Sequence, residues 1–378
     1  MIYLVKINFE VTIMKNILYI SYSDDLNNDY SGVTKKIKAQ SKAMEALGNR
    51  VYIAGVNGDK YSILNEEGGI LIKDKSFFQK RRLIFSFMLK QIIEKKIDIV
   101  YLRMMLSGPS LIVFLRELKK KNVKIIMEVP TYPYDHEAHG VRAKVILLLD
   151  RIYRKKYSGL VDRIVTFSDD LFIFNISCIN VSNAVDESLI LKKTEAKEGS
   201  VIKFISVSSL YNWHGVDRFI KSIENYYIKG GCLPIEFNIV GPNNDISLNL
   251  EKIVQSSNVL KDRVFFLGYK NSLELAEIYK AMHIGVGSLA RHRSKVFKIN
   301  TLKNKEYGAY GLPIIYSESD KDFDNQSFVY RVNPDETLID IDSILFWYSN
   351  RQWDDDEILN FTKKFTWKEQ MNKVLNLI

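Results

Sequence analysis

The sequence predicts an α/β protein built of two Rossmann-like domains facing a cleft. Short β-rich runs alternate with longer helical patterns along most of its 378 residues. The alternation pauses once, at a polar stretch over 186–200, and then restarts. Strand runs such as Ile17-Leu18-Tyr19-Ile20 are apolar throughout instead of alternating, as expected of parallel strands covered by helices on both faces. Two such halves in succession place ligands at the carboxyl edges of two sheets.

In the first half, strands are expected at 16–21, 51–55, 99–103, 124–128 and 163–167, with helices at 33–47, 77–94, 109–121 and 141–157. The linker carries Lys192, Lys193, Glu195, Lys197, Glu198 and Gly199. Beyond it, strands are expected at 201–207, 235–240, 264–267, 284–287 and 313–316, and helices at 216–228, 247–255, 272–281 and 302–310. The last stretch, 354–378, reads as two helices broken near Thr366-Trp367. Met371, Val374, Leu375 and Ile378 then form an apolar stripe that requires burial. The expected first domain is 1–187, completed by 366–378, and the second is 188–365. Residues 1–13 are apolar but short, Lys6 and Glu10 interrupt them, and they receive no function; Met14-Lys15-Asn16 is the more natural beginning.

Composition excludes several classes. The chain is 46% hydrophobic and 26% charged, which rules out disorder, collagen and coiled coil as descriptions of the whole. Cys178 and Cys232 supply neither a disulfide scaffold nor a CxxC pair, so a reducing, cytoplasmic location is expected. No apolar run reaches the roughly 18 residues that a membrane span needs. Basic residues outnumber acidic ones 54 to 45, and the first 187 residues hold nearly all of the excess, 29 against 21. That suits nucleic acid, an anionic membrane or a phosphorylated ligand. No nucleic-acid motif appears and the basic residues are spread over several helices, so no nucleic acid is expected as a partner.

The sharpest motif is Thr301-Leu302-Lys303-Asn304-Lys305-Glu306-Tyr307-Gly308-Ala309-Tyr310-Gly311-Leu312-Pro313. It describes a helix entered from a loop, ended by Gly311 and followed by a buried strand. Its first turn offers unpaired N–H groups to a diphosphate, and Glu306 can accept two hydrogen bonds from a ribose diol. An ordinary helix with a solvated Glu and a capping Gly fits the spacing equally.

This segment resembles the donor-site motif of retaining glycosyltransferases of family 4, which have the GT-B architecture. Other pieces follow in the same order: Ser31-Gly32-Val33; Val165-Thr166-Phe167-Ser168; Asn183-Ala184-Val185-Asp186; Val207-Ser208-Ser209-Leu210 leading to Trp213-His214-Gly215; Ile239-Val240-Gly241; and Phe265-Phe266-Leu267-Gly268. The Trp-His-Gly and Leu-Lys-x-x-Glu-Tyr forms look like a bacterial polysaccharide subgroup. The resemblance implies a last helix that crosses back to the first domain. It also implies transfer of a sugar, with retention, from a UDP- or GDP-type nucleotide sugar to a glycan or lipid-diphosphate-linked acceptor in cell-surface polysaccharide synthesis. No cofactor is implied beyond that co-substrate. Two departures stand out. Lys298 occupies the place of the first of two acidic residues, and Ser209 and His214 replace an Arg/Lys pair on the diphosphate. Arg293 or Lys303 is then the expected phosphate contact.

The candidate donor site is Gly32, Ser209, His214, Gly241, Tyr269, Arg293, Thr301, Leu302, Lys303 and Glu306. His214 either bonds a phosphate or caps the helix at Gly215, and Tyr269 either lies near the nucleobase or is a surface Tyr. The resemblance puts acceptor and donor-sugar contacts in the loop over 128–137, giving Tyr132, Tyr134 and Asp135 on the acceptor side, and His136 and Glu137 beside Glu306 as catalytic candidates. Asp322-Phe323-Asp324 has the Asp-x-Asp form that holds a divalent ion in the other major glycosyltransferase architecture. Asp340-Ile341-Asp342 and Asp354-Asp355-Asp356 match equally well, so all three read as solvated and no metal is expected. Around Val145-Ile146-Leu147-Leu148-Leu149 lies a basic helix whose apolar run reads as core and whose charge suits the inner face of an anionic membrane. The rival reading of the whole chain is a non-catalytic partner that keeps the fold and binds nucleotide or glycan for another transferase.

Overall fold

The computed structural model describes residues 14–28, 31–134, 141–190 and 201–378. The chain runs β1 (Asn16–Asp25), α1 (Gly32–Ala46), β2 (Arg50–Asn57), β3 (Lys60–Ile63), β4 (Ile70–Leu71), α2 (Phe77–Glu94), β5 (Ile99–Arg103), α3 (Pro109–Lys120), β6 (Lys124–Val129), α4 (Val141–Tyr153), β7 (Arg163–Thr166), β8 (Phe172–Ile173) and β9 (Ile176–Asn180). It continues with β10 (Ile202–Val207), α5 (Val216–Ile228), β11 (Ile235–Val240), α6 (Asp245–Ser256), β12 (Val264–Phe266), α7 (Ser272–Lys280), β13 (Ile284–Val286), β14 (Lys298–Ile299), α8 (Leu302–Ala309), β15 (Ile314–Tyr316), β16 (Ser319–Asp320), β17 (Val329–Arg331), α9 (Ile341–Ser349), α10 (Asp355–Thr362) and α11 (Trp367–Leu375).

Two compact units result. The first takes the chain up to Val181 together with Trp367–Ile378, and the second is Ser182–Thr366. The first boundary thus falls ahead of the polar linker expected at 186–200, of which 191–200 lie outside the described residues.

In the first unit the strand order is β4-β3-β2-β1-β5-β6-β7-β9-β8. The strands from β2 to β9 run parallel, and the outer strands β3, β4 and β8 pair antiparallel. Ile17, Leu18, Tyr19 and Ile20 are fully buried, as their apolar run requires. Helix starts follow side-chain chemistry: Ser31 accepts from the Thr34 N–H, Ser76 and Gln79 form a capping box, and Pro109 opens α3. The β3–β4 hairpin and β8–β9 lie outside the expected elements. They are short, and alternation over two to five residues carries little signal.

Helix α4 corrects the expected core run. Leu147 is buried, but Leu148, Leu149 and Ile152 face solvent. Asp150 sets this rotation, because its carboxylate points inward to accept from the Ser107 N–H (2.6 Å), the Tyr134 hydroxyl (2.7 Å) and Arg154 (3.2 Å). The α-helix also stops at Tyr153, and Arg154–Gly159 continues as a 3-10 turn.

The second unit has a parallel sheet, β12-β11-β10-β13-β15-β17, and a small pair, β14-β16. Asn244 and Asn271 cap α6 and α7 with capping boxes, and Asp354 caps α10. Helix α9 was not among the expected elements.

The chain breaks after the 3-10 turn Lys363–Phe365, and α11 joins the first unit by packing on α1. Trp367, Met371 and Val374 are buried, and the Lys36 ammonium lies 5.6 Å from the Trp367 ring centroid. Trp367→Ala should therefore cost the first unit about 3–5 kcal/mol. Limited proteolysis during thermal unfolding should show earlier cleavage in 14–181, with the 182–366 fragment unaffected. Unchanged protection of 14–181 would contradict this packing.

Candidate functional site

The crossovers of the second sheet reverse direction between β10 and β13. In open α/β sheets, ligands bind outside the carboxyl ends of the strands at such a point. Three segments come together there: the loop after β10, the turn after β13 and the start of α8. Gly215 makes the first contact possible. Its φ is +67°, and a Cβ there would stand 2.8 Å from the Leu289 Cβ. The Leu289 N–H donates to the His214 carbonyl (3.0 Å), and Arg218 donates to the Leu289 carbonyl (2.8 Å).

Helix α8 is pinned from its buried face. The Tyr307 hydroxyl accepts from the Val207 N–H (3.0 Å) and donates to the Val286 carbonyl (3.1 Å), bridging the ends of β10 and β13. Its ring lies where a Cβ on Gly285 would collide. Asn304 donates to Asp320 (2.8 Å), while the buried Lys305 bonds Asn300 (2.7 Å) and pairs with Asp322 (2.8 Å). The Asp322/Asp324 pair is therefore not solvated as expected. Asp322 neutralises Lys305, and Asp324 accepts from Tyr316 (2.9 Å) and Ser319. Asp340 and Asp354 are exposed helix caps.

With Tyr307 fixed inward, Lys303 lies one turn earlier on the same side of α8, and Glu306, three residues on from Lys303, neighbours it on the helix surface. The Lys303 ammonium is shielded and has no hydrogen-bond partner, and burial, reinforced by Arg291 and only partly offset by the Glu306 carboxylate, pulls its pKa down to about 7. The His214 Nδ1 accepts from the Tyr211 N–H (3.2 Å), an assignment that leaves the ring proton on Nε2. Burial, then Lys303 and Arg291, holds its pKa at about 3, so the ring is a neutral donor at physiological pH. Arg291 is half-buried with an unpartnered Nε, and its guanidinium carbon lies 5.9 Å from the centroid of the Trp213 ring. Thr301 precedes α8 without capping it, and its hydroxyl is also shielded and unpartnered. Glu306 is half-buried, and its carboxylate adds to burial in raising the pKa values of Tyr279, Tyr307 and Tyr310.

Other candidates fall elsewhere. Arg293 is not a free anion hook. It binds both carboxylate oxygens of Asp217 (2.9 and 3.1 Å) and of Glu336 (2.7 Å each), plus the Asn212 carbonyl (2.7 Å). Arg291, two residues earlier, is the cation that faces Lys303 and His214. Nothing local in the sequence singles out Arg291 from Arg293. Ser209 is exposed, and its carbonyl accepts from Asn244 (2.7 Å). Gly241 follows β11 at a point where a Cβ would collide with the Ser208 carbonyl. Tyr269 and Leu302 are exposed at the loop after β12 and at the start of α8. Gly32 opens α1 in the first unit.

In the first unit, Tyr132 packs edge-on against Phe174. Tyr134 is buried, and its hydroxyl donates to Asp150 (2.7 Å). Asp135, His136 and Glu137 lie outside the described residues.

Neither a protein-family model nor a curated protein matches the chain. Solved structures do. The chain is similar to a glycosyltransferase from Rickettsia africae ESF-5 (TM-score 0.69, 13% identity, 97% of this chain and 98% of that one). It is also similar to sucrose-phosphate synthase from Thermosynechococcus elongatus (0.61, 13%, 96% and 98%) and to an E. coli trehalose-6-phosphate structure bound with UDP-2-fluoro glucose (0.59, 13%, 96% and 98%). These likenesses show the fold: the chain has the GT-B architecture of two Rossmann-like units.

Lys303 gives a pH-dependent test of the site without ligand. Its folded pKa lies below the ordinary lysine value of 10.5, so between about pH 7 and 10.5 the unfolded chain binds the extra proton and stability rises with pH. Lys303→Met removes this penalty. At pH 6.5 its Tm should exceed the wild type's, by about 2–4 °C per kcal/mol recovered, and the gap should close towards pH 10. Equal Tm values at both pH values would show that the ammonium is solvated.

Proposed function

We propose that the protein is a glycosyltransferase that takes a sugar from a nucleotide diphosphate sugar. The carrying observation is the shielded, unpartnered Lys303 ammonium beside Arg291 at the sheet's switch point. Two cations held together in low polarity call for a multivalent anion. His214 Nε2, the Thr301 hydroxyl and the first N–H groups of α8 add neutral donors of the kind a diphosphate accepts. Glu306, one turn along, takes the ribose diol.

In this reading the bond between the anomeric carbon and the diphosphate oxygen breaks, and its electron pair leaves with the nucleoside diphosphate. Arg291, Lys303 and the helix dipole stabilise that charge without a metal ion. The acceptor hydroxyl attacks from the same face and passes its proton to the departing phosphate oxygen, so configuration is retained. The family 4 resemblance supports retention, a UDP- or GDP-type donor carrying a hexosyl or related group, and a glycan or lipid-diphosphate-linked acceptor of cell-surface polysaccharide synthesis. It also supports a cytoplasmic location, with the basic first unit against the inner face of the membrane.

Arg291→Ala and Lys303→Ala should each weaken UDP or GDP binding about 10- to 100-fold by calorimetry. Arg293→Ala should instead lower Tm and leave affinity within about threefold. Glu306→Ala should cut release of nucleoside diphosphate from the sugar donor about 10- to 100-fold. Normal affinity in both Arg291 and Lys303 variants would remove the diphosphate from this site. Lys298, exposed on β14 where the family places an acidic residue, favours a second reading as a non-catalytic partner. Nucleotide binding without turnover on any donor would decide for it.

A further inference from the structure

The first unit exposes an apolar strip that its core does not use. Leu148, Leu149 and Ile152 are 58%, 43% and 52% exposed on α4. At about 100° per residue these three share one face, opposite the inward Asp150. The three bonds on Asp150 lock that rotation, so the leucines cannot turn into the core without breaking them. The exposed Arg151 flanks the strip, and Lys155 and Lys156 follow it in the 3-10 turn, with the Lys156 ammonium 5.1 Å from the Tyr153 ring centroid. Asp150 is the sole carboxylate from Val141 to Gly159, and it is buried and paired.

We infer that this face of α4 is a membrane-docking surface for a bilayer carrying anionic headgroups. Leucine and isoleucine framed by lysine and arginine is the pattern of a helix that lies in the headgroup layer. Charge complementarity selects an anionic surface, and three apolar side chains make a thin insertion rather than a protein core. The interior of a protein–protein interface would be depleted in lysine. The first turn of α2 extends the same chemistry. Phe78 is 75% exposed beside Arg82, and Arg81 ties that turn to the Leu106 carbonyl (2.9 Å), next to the Ser107 N–H that Asp150 holds. In sequence, α4 comes soon after the 128–137 segment that the family resemblance gives to the acceptor. This deepens the acceptor part of the proposed function and is independent of the donor chemistry.

The test is co-sedimentation of the full chain with vesicles of phosphatidylcholine alone or mixed with phosphatidylglycerol, at about 0.1 M salt and again at about 0.5 M. Wild type should pellet with the mixed vesicles, weakly with the neutral ones, and less at high salt. Leu148→Asp/Ile152→Asp and Lys155→Glu/Lys156→Glu should each lower partitioning about tenfold or more. Both should keep the wild-type Tm and the UDP- or GDP-induced Tm shift, which separates failure here from failure of the donor site. Equal binding to neutral vesicles, no vesicle binding, or unchanged binding by both variants would overturn the inference. So would a wild-type dimer that Leu148→Asp/Ile152→Asp converts to a monomer without any effect on vesicles.

Discussion

One hydroxyl holds the second unit's crevice in shape. Strands β10 and β13 pair only at Phe204–Ile284 and Ile205–Gly285, and beyond that point they diverge. Divergence leaves the Val207 N–H and the Val286 carbonyl facing a gap, where unpaired backbone groups would cost roughly 1–3 kcal/mol each. The Tyr307 hydroxyl fills the gap and satisfies both. The price is paid in sequence choice at Gly285, since the Tyr307 ring occupies the room a side chain would need. Everything on α8 is indexed from this contact, including the direction of Lys303 and Glu306.

The surrounding bonds rigidify what Tyr307 places. Asn304–Asp320 and Lys305–Asp322 neutralise the buried side of α8 and leave its crevice side charged. On the β13 side, Arg293 ties the 3-10 turn to Asp217 and Glu336, while the buried Glu318 carboxylate accepts the His292 N–H (2.9 Å). With its neighbours so held, Arg291 has little freedom to swing to water. Two cations kept close without hydrogen-bonded carboxylates are a standing cost to the fold. An anion of the kind proposed above would offset that cost, so that stability and binding at Lys303 would pull in opposite directions.

The central strands and the long amphipathic helices were legible because burial on both faces, or on one stripe, writes itself into a single local run. Ile17–Ile20 and the Met371/Val374 stripe are of this kind. The α8 motif was legible for the same reason, since Gly311 and the apolar strand after it bound the helix. The choice between Arg291 and Arg293 was not. It is made by Asp217 and Glu336, 76 and 43 residues away from Arg293 in sequence. The rotation of α4 was equally hidden. Five apolar residues in a row read as core until the Ser107 N–H and the Tyr134 hydroxyl claim Asp150 and turn the leucines outward.

Net charge by itself points to the first unit for an anion site, whereas the unpartnered cations of the proposed site lie in the second. The first 187 residues carry nearly all the basic excess, yet at the carboxyl ends of β5 and β6 the described charges are balanced. Glu128 is buried there between Arg103 (2.7 Å) and Lys36 (3.3 Å), also accepts from Gln40 and Tyr101 (2.8 Å each), and Asp24 pairs with Arg103 as the second carboxylate (3.5 Å). Burial alone would raise its pKa, but Lys36 and Arg103 outweigh burial and hold it below the usual value. Those cations already have their anions. In the second unit, nearly neutral overall, Glu306 and Glu318 act on Lys303 and Arg291 only through space, and neither the Lys303 ammonium nor the Arg291 Nε has a hydrogen-bond partner. Affinity for a diphosphate depends on unsatisfied charge in a low-polarity site, whereas a surplus spread over solvated helices acts at longer range, on an extended charged surface. The two kinds of positive charge therefore divide the work. The few unpaired cations of the second unit suit a compact anion, and the many exposed ones of the first suit a surface.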